Sequence, residues 1–255
     1  MPSIVVVSFA LTVCTASAQT TPAQIADSAR HEIDAANASG DGQRLAQITG
    51  YLQRAAIAHP TDGWIAHYLG FAYYRSVTFA RARRDAKETK ALLNLANATL
   101  EKAAALMPLA ETHALRSAVL GQIIAESGSP ITGMRLGSKA DKELDVALKL
   151  APANPRVWAV RASAVLYKPK LFGGSVTKAE EYARKAIELA ASDHPAGVAP
   201  RWGEGDAYLF LGQALAAQKK YDEAKAAYQR VLALEPGNGY VTNVLMPALN
   251  QQMGR

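Results

Sequence analysis

The clearest structural pattern in this chain lies at residues 205–238, which read GDAYLFLGQALAAQKKYDEAKAAYQRVLALEPGN. Tyr208, Leu211 and Leu215 are spaced three and four residues apart, so their side chains fall on one face of a helix. Gly212 lies beside them and has no side chain to hold a second helix away. The first half of this stretch therefore predicts a helix with a closely packed neighbour.

The second half of the stretch predicts that neighbour. Ala224, Tyr228 and Val231 line one helical face, and Pro236 ends the helix because it cannot donate a backbone hydrogen bond. This order of aromatic, Leu-Gly, Ala, aromatic and Pro positions resembles the tetratricopeptide repeat, whose period is about 34 residues. The resemblance implies an all-α fold: a tetratricopeptide-type α-solenoid that winds helix–turn–helix pairs into a right-handed superhelix. It also implies a protein-interaction role.

Looser copies of the pattern precede this stretch, each with small residues at the packing positions, and three of them end near a proline, at Pro60, Pro108 and Pro152. A single helix pair cannot bury its own apolar face, so stacked neighbours must share one continuous core. We therefore predict one solenoid over residues 19–255. Its approximate repeats are 29–62, 63–108, 114–152, 155–191 and 205–238, followed by a capping helix at 239–253.

Three repeats are longer than the period requires, near residues 75–90, 126–138 and 168–176. Insertions in solenoids fall on one edge and often carry function. They also arise from longer helices, because extra loop length costs little. Both explanations stay open at this stage.

The third insertion, in KPKLFGGSVTKAEE, raises the question of a nucleotide site. A phosphate loop needs G-x-x-x-x-G-K-[ST] between a strand and a helix, and neither the spacing nor a strand is present here. We expect Gly173 and Gly174 to reverse the chain between two helices. Thr177, followed three residues later by Glu180, is typical of a capping box at the start of the second helix.

The N-terminal segment differs from the rest of the chain. An apolar run at residues 4–14 is followed by Ala16-Ser17-Ala18, which is typical of a signal peptide at residues 1–18. We therefore expect an exported, periplasmic protein. The only cysteine, Cys14, follows Leu11-Thr12-Val13 and resembles a lipobox residue, so a lipid anchor is the alternative. Membrane association is expected only if Cys14 is lipidated.

No residue pattern indicates catalysis. The five histidines are scattered and form no H-E-x-x-H motif, and no serine lies in a G-x-S-x-G context. A net charge of +6 is mild for a nucleic-acid-binding protein. We therefore predict no enzyme activity, no catalytic residues, no metal, no cofactor and no nucleic-acid partner.

The inner surface of the solenoid is the expected site. The positions that face inward in this family carry a cluster of rings and polar groups here: Trp64, His67, Phe71, Tyr74, Arg75, Arg156, Tyr167 and Gln213. Such a cluster favours a non-enzymatic scaffold that binds a protein or peptide on its concave face. The alternative is a periplasmic carrier of an apolar small molecule in an aromatic-lined pocket. The sequence does not indicate the partner or the oligomeric state.

Overall fold

The computed structural model describes residues 20–254, so the predicted signal peptide and Cys14 lie outside the described residues. Within that range the chain forms eleven α-helices and no strand. None of these helices is long and apolar enough to cross a membrane. The helices are α1 (Pro22–Ser39), α2 (Gly42–Ala58), α3 (Gly63–Ala82), α4 (Ala86–Leu106), α5 (Ala110–Ser127), α6 (Pro130–Leu150), α7 (Pro155–Tyr167), α8 (Val176–Ala190), α9 (Glu204–Ala217), α10 (Tyr221–Leu234) and α11 (Met246–Met253).

Ten of these helices form five antiparallel pairs that stack in sequence order. Each odd-numbered helix packs on the even-numbered helix after it, and α3, α5, α7 and α9 also pack on one another. The odd-numbered helices therefore form one layer and the even-numbered helices the other. This arrangement confirms the predicted all-α helical repeat solenoid. The exact repeat boundaries stay a prediction.

The close approach predicted at Gly212 is present in the last pair. A Cβ atom at this position would lie 2.4 Å from Cε1 of Tyr228, which is buried on α10. Leu211 and Leu215 on the same helix are buried as well. Glycine is needed here because a methyl group would push the two helices apart.

Two of the three insertions lengthen helices. The pair α3 and α4 has 20 and 21 residues, whereas α9 and α10 have 14 each. The insertion near residues 126–138 likewise extends α5 and α6, which have 18 and 21 residues. The turns that join the two helices of a pair all lie on one edge of the solenoid, which we call the turn edge. The long pairs therefore extend farther toward the turn edge than the short ones.

The third insertion is a true loop on the turn edge. Lys170–Phe172 forms a single 3-10 turn between α7 and α8. Gly173 has a positive φ of 93°, and a Cβ on Gly174 would lie 1.7 Å from the carbonyl oxygen of Lys168. Gly173 and Gly174 therefore reverse the chain as expected, the first by its φ and the second by its lack of a side chain.

The predicted capping box at the start of α8 is wrong. The N-cap is Ser175, whose hydroxyl oxygen accepts a hydrogen bond from the backbone N–H of Lys178. Thr177 lies inside the first turn. Glu180 instead pairs with Arg184 and Lys220 and ties α8 to the last repeat. Sequence spacing alone could not separate two hydroxyl residues that are both near the helix start.

Candidate functional site

The layer of odd-numbered helices, called the inner layer below, is crossed by the longest helix connection in residues 20–254. This connection, residues 191–203 between α8 and α9, is called the strap below. Trp202 of the strap stacks on Phe71 of α3, with ring centroids 5.6 Å apart and an angle of 27°. The carbonyl oxygen of Val198 accepts a hydrogen bond from the hydroxyl of Tyr68. The strap therefore covers the inner face of α3.

Two arginines hold the strap at its ends. Arg156 is buried and donates to Asp193 through both terminal nitrogens, at 2.6 and 3.1 Å. Its Nε also donates to Glu111 at 3.0 Å. Just after the other end, in the first turn of α9, Asp206 accepts from Arg75 through both carboxylate oxygens, at 2.9 and 2.7 Å. Two-point arginine–carboxylate pairs fix geometry strongly, so the strap has a defined position.

The first and last repeats also touch each other. The backbone N–H of Gly237, after α10, donates to the carbonyl oxygen of Ala38 near the end of α1 at 2.8 Å. A Cβ on Gly237 would lie 2.0 Å from the carbonyl carbon of Ser39, so only glycine fits. This contact and the strap together close the solenoid on itself. The concave groove expected from an open superhelix is therefore partly filled by the chain.

An open cleft of about 220 Å³ lies beside this contact. Asp34 and Glu235 line it, together with Arg75 and Arg201. Burial raises the pKa of Asp34, and burial followed by the charge of Asp206 raises the pKa of Glu235. Both carboxyl groups are thus easier to protonate than exposed ones.

His67 and Trp64 lie on α3, one turn before Phe71 and Tyr68, which contact the strap. His67 is fully buried, and its Nδ1 is 2.8 Å from the hydroxyl of Thr112. Burial lowers the pKa of His67 to about 3, so its imidazole is neutral at physiological pH. Trp64 stacks on Tyr68 with a centroid distance of 6.3 Å. Both side chains contribute to packing in this conformation.

The aromatic pocket around Tyr74 is small. Tyr74, Trp202, Asp206 and Phe210 are among the residues that line it, and its volume is about 10 Å³. That volume accommodates about one water molecule. A larger ligand could occupy this position only if the strap moved.

A second part of the inner surface is open. Tyr167 at the end of α7 is 61% exposed and meets Phe210 of α9 edge to face, with centroids 6.3 Å apart. The Tyr167 hydroxyl donates to the side-chain oxygen of Gln213. The amide of Gln213 in turn lies 3.4 Å from the hydroxyl of Tyr240. We call these four residues of α7, α9 and the C-terminal segment the open strip.

The structure thus divides the eight residues predicted from the sequence into two groups. Six lie on α3 or beside the strap: Trp64, His67, Phe71, Tyr74, Arg75 and Arg156. Tyr167 and Gln213 lie in the open strip. The role of all eight residues in partner binding stays a prediction.

Sequence reasoning missed the roles of Trp202 and Tyr240. The signal for Trp202 was present, because the segment between the fourth and fifth repeats is longer than any other and carries one of only three tryptophans. No comparable signal in the sequence pointed to Tyr240, because its role depends on its distance from Gln213 in the fold. In residues 20–254, no group of three or more His, Cys, Asp or Glu side chains is arranged to hold a metal ion.

Comparison with known proteins agrees with the repeat architecture. A family model for the tetratricopeptide repeat matches residues 205–238. The fold is similar to the HusA haemophore from Porphyromonas gingivalis, with a TM-score of 0.62 and 26% identity, over 76% of this chain and 94% of that one. It is also similar to a thermophilic TPR protein from Thermus thermophilus, with a TM-score of 0.62 and 15% identity, over 91% of this chain and 100% of that one. No curated protein gives a significant match in sequence.

Proposed function

We propose that this chain, which is a tetratricopeptide repeat protein, acts as an exported scaffold that binds an extended segment of a protein partner on its open strip. One observation carries the proposal: Tyr167 and Tyr240 are exposed on the inner side, and Gln213 joins their hydroxyls. Exposed aromatic rings with adjacent hydrogen-bonding groups are typical of peptide-binding surfaces.

The strap supports the proposal because it is a chain segment that already packs on the inner layer. It is a non-helical segment with a turn at residues 196–199, its tryptophan stacks on Phe71, and its backbone carbonyl at Val198 accepts a hydrogen bond from the hydroxyl of Tyr68. The open strip offers the same combination of rings and hydroxyl groups beside the strap, because its Phe210 lines the small pocket with Tyr74 and Trp202. A partner segment with an apolar or aromatic anchor and free backbone carbonyls would therefore fit it.

Export is part of the proposal and depends on the pattern at residues 1–18. The test is to express the full chain in a bacterium and sequence the N-terminus of the protein recovered from the periplasm. Export predicts a chain that begins at Gln19. Recovery of the uncleaved chain from the cytoplasm would contradict it, and a lipid on Cys14 would support the anchored alternative.

Site-specific crosslinking tests the binding surface. A photoreactive benzoylphenylalanine replaces Tyr167 in one variant and Ile57 in a control, because Ile57 is 81% exposed on α2, outside the open strip. We expect a discrete adduct from position 167 that is lost when Tyr240→Ala is added. Equal adducts from positions 167 and 57 would reject the open strip as the site.

A carrier of an apolar small molecule is the second candidate, and the similarity to the HusA haemophore favours it. The pocket beside Tyr74 holds about one water, so such a ligand would lie on the exposed rings of the open strip. Haem is a suitable probe. A saturable change in its absorbance that Tyr167→Ala weakens, but Ile57→Ala does not, would support this function. No saturable change would exclude haem as the ligand.

A further inference from the structure

The turn edge carries exposed apolar side chains in two consecutive repeats. Leu171 is 88% exposed and Phe172 is 64% exposed in the loop between α7 and α8. In the preceding repeat, Ile131 and Met134 at the start of α6 are 73% and 67% exposed. Large apolar side chains that occur together at the surface indicate an interaction site more strongly than isolated ones do.

The apolar loop has a defined conformation. The backbone N–H of Gly174 donates to the carbonyl oxygen of Pro169 at 3.1 Å, and that of Ser175 donates to Val165 at 2.9 Å. The ammonium group of Lys168 pairs with Asp141 of α6 at 2.6 Å and thereby joins the two repeats. Leu171 and Phe172 are therefore held at the tip of the loop, away from the core.

Three exposed cations lie beside these side chains. The sequence contains no Asp or Glu between residues 155 and 179, whereas Lys170 and Lys178 lie on either side of the apolar tip and are exposed. Arg135 is exposed beside Met134. In residues 20–254, these three cations form no ion pair with an acidic side chain. Their charge is thus available to a negatively charged partner.

We infer that this edge docks the protein on an anionic lipid surface, with Leu171 and Phe172 inserted among the acyl chains and the surrounding cations at the headgroups. Apolar side chains beside lysines are the combination that binds an anionic membrane interface. A lipid surface fits better than a protein because the apolar side chains project from a loop tip, whereas protein anchors are usually matched with pockets. This contact needs no lipid on Cys14.

Position-specific insertion tests the inference in the full chain. Phe172→Trp and, as a control, Ile57→Trp each add one indole at an exposed site. Both proteins are mixed with phosphatidylglycerol–phosphatidylcholine vesicles brominated in their acyl chains. Both variants carry the same residues 1–18, so any membrane binding by that segment contributes equally to the two measurements. We expect the indole at position 172 to be quenched beyond the wild-type background and that at position 57 not to be. Equal quenching, or none, would overturn the inference.

Cosedimentation with vesicles separates the apolar contribution to binding from the electrostatic contribution. Leu171→Ser with Phe172→Ser should weaken binding to anionic vesicles by about tenfold or more, since each side chain loses its transfer into lipid. Lys170→Glu should weaken binding at low salt but have less effect at high salt. Ile57→Ser serves as the matched control. Unchanged sedimentation of the double variant, or binding to a protein extract but not to vesicles, would contradict a lipid partner.

Discussion

Arg75 of α3 and Asp206 of α9 form a two-point ion pair although they are 131 positions apart in the sequence. Both side chains are largely buried, at 11% and 17% exposure. The guanidinium of Arg75 also lies 5.1 Å from the centroid of Phe71, the ring on which Trp202 stacks. This pair therefore joins the second repeat, the strap and the fifth repeat in one cluster.

Removing the acid of this pair should destabilise the fold strongly. Asp206→Ala leaves a buried guanidinium without its partner, and we expect the free energy of unfolding to fall by about 3–5 kcal/mol. Denaturation in urea measures the loss. Glu88→Ala is the control, since it breaks the exposed pair with Arg83 and should cost less than about 1 kcal/mol. Equal losses in the two variants would mean that Arg75–Asp206 does not hold the closed form.

Trp202 should hold the strap in place. Trp202→Ala removes a buried ring that stacks on Phe71, and we expect a loss of about 3–5 kcal/mol. Arg201 is the only trypsin site in the strap, so cleavage after this residue should become faster in the variant. Trp158→Ala is the control, because Trp158 packs on Tyr182 of α8. A strap that resists trypsin in Trp202→Ala would contradict this role.

His67 should make the protein less stable in mild acid. The unfolded chain takes up a proton at this residue near pH 6.5, whereas burial keeps the folded side chain neutral down to a pKa of about 3. Stability from this group is thus complete above pH 6.5 and is lost as the pH falls. Between about pH 6.5 and pH 5 we expect the wild type to lose about 1.5 kcal/mol more than His67→Gln, as measured by urea denaturation at each pH.

Asp34 and Glu235 change the stability with pH in the opposite direction to His67. Because both groups are present in the wild type and in His67→Gln, their effect cancels when the two proteins are compared. Their pKa values are raised by burial, so they stabilise the folded chain at low pH and lose that contribution as the pH rises. The two groups are unchanged in the His67 variant. The same pH dependence in wild type and variant would show that His67 is protonated in the folded protein.

Glycine at position 174 should be essential for the loop on the turn edge. Gly174→Ala places a Cβ against the carbonyl oxygen of Lys168, and we expect a loss of more than about 2 kcal/mol in thermal or urea unfolding. Gly137→Ala is the control, since nothing lies within 4 Å of a Cβ there, on the helix α6. Alanine favours the helix, so the control should gain about 0.5–1 kcal/mol. A tolerated Gly174→Ala would mean that the loop can adopt another path.

The expectations that concern neighbouring residues were confirmed most directly. The close packing of Gly212 on Tyr228 and the chain reversal at Gly173 and Gly174 depend on residues near one another in the sequence. The capping box was wrong although only Thr177 has a glutamate three residues later: Ser175 caps the helix, and its backbone N–H donates to the carbonyl oxygen of Val165 in the preceding helix.

The sequence by itself determined the all-α repeat architecture, because helix periodicity and the spacing of small and aromatic residues act over one or two turns. Only the tertiary structure decided which part of the inner layer is open. Trp202 contacts Phe71, and Asp206 contacts Arg75, after two further helix pairs, α5–α6 and α7–α8, have set the curvature of the solenoid. Curvature is the sum of small rotations between successive repeats, and no local pattern records that sum.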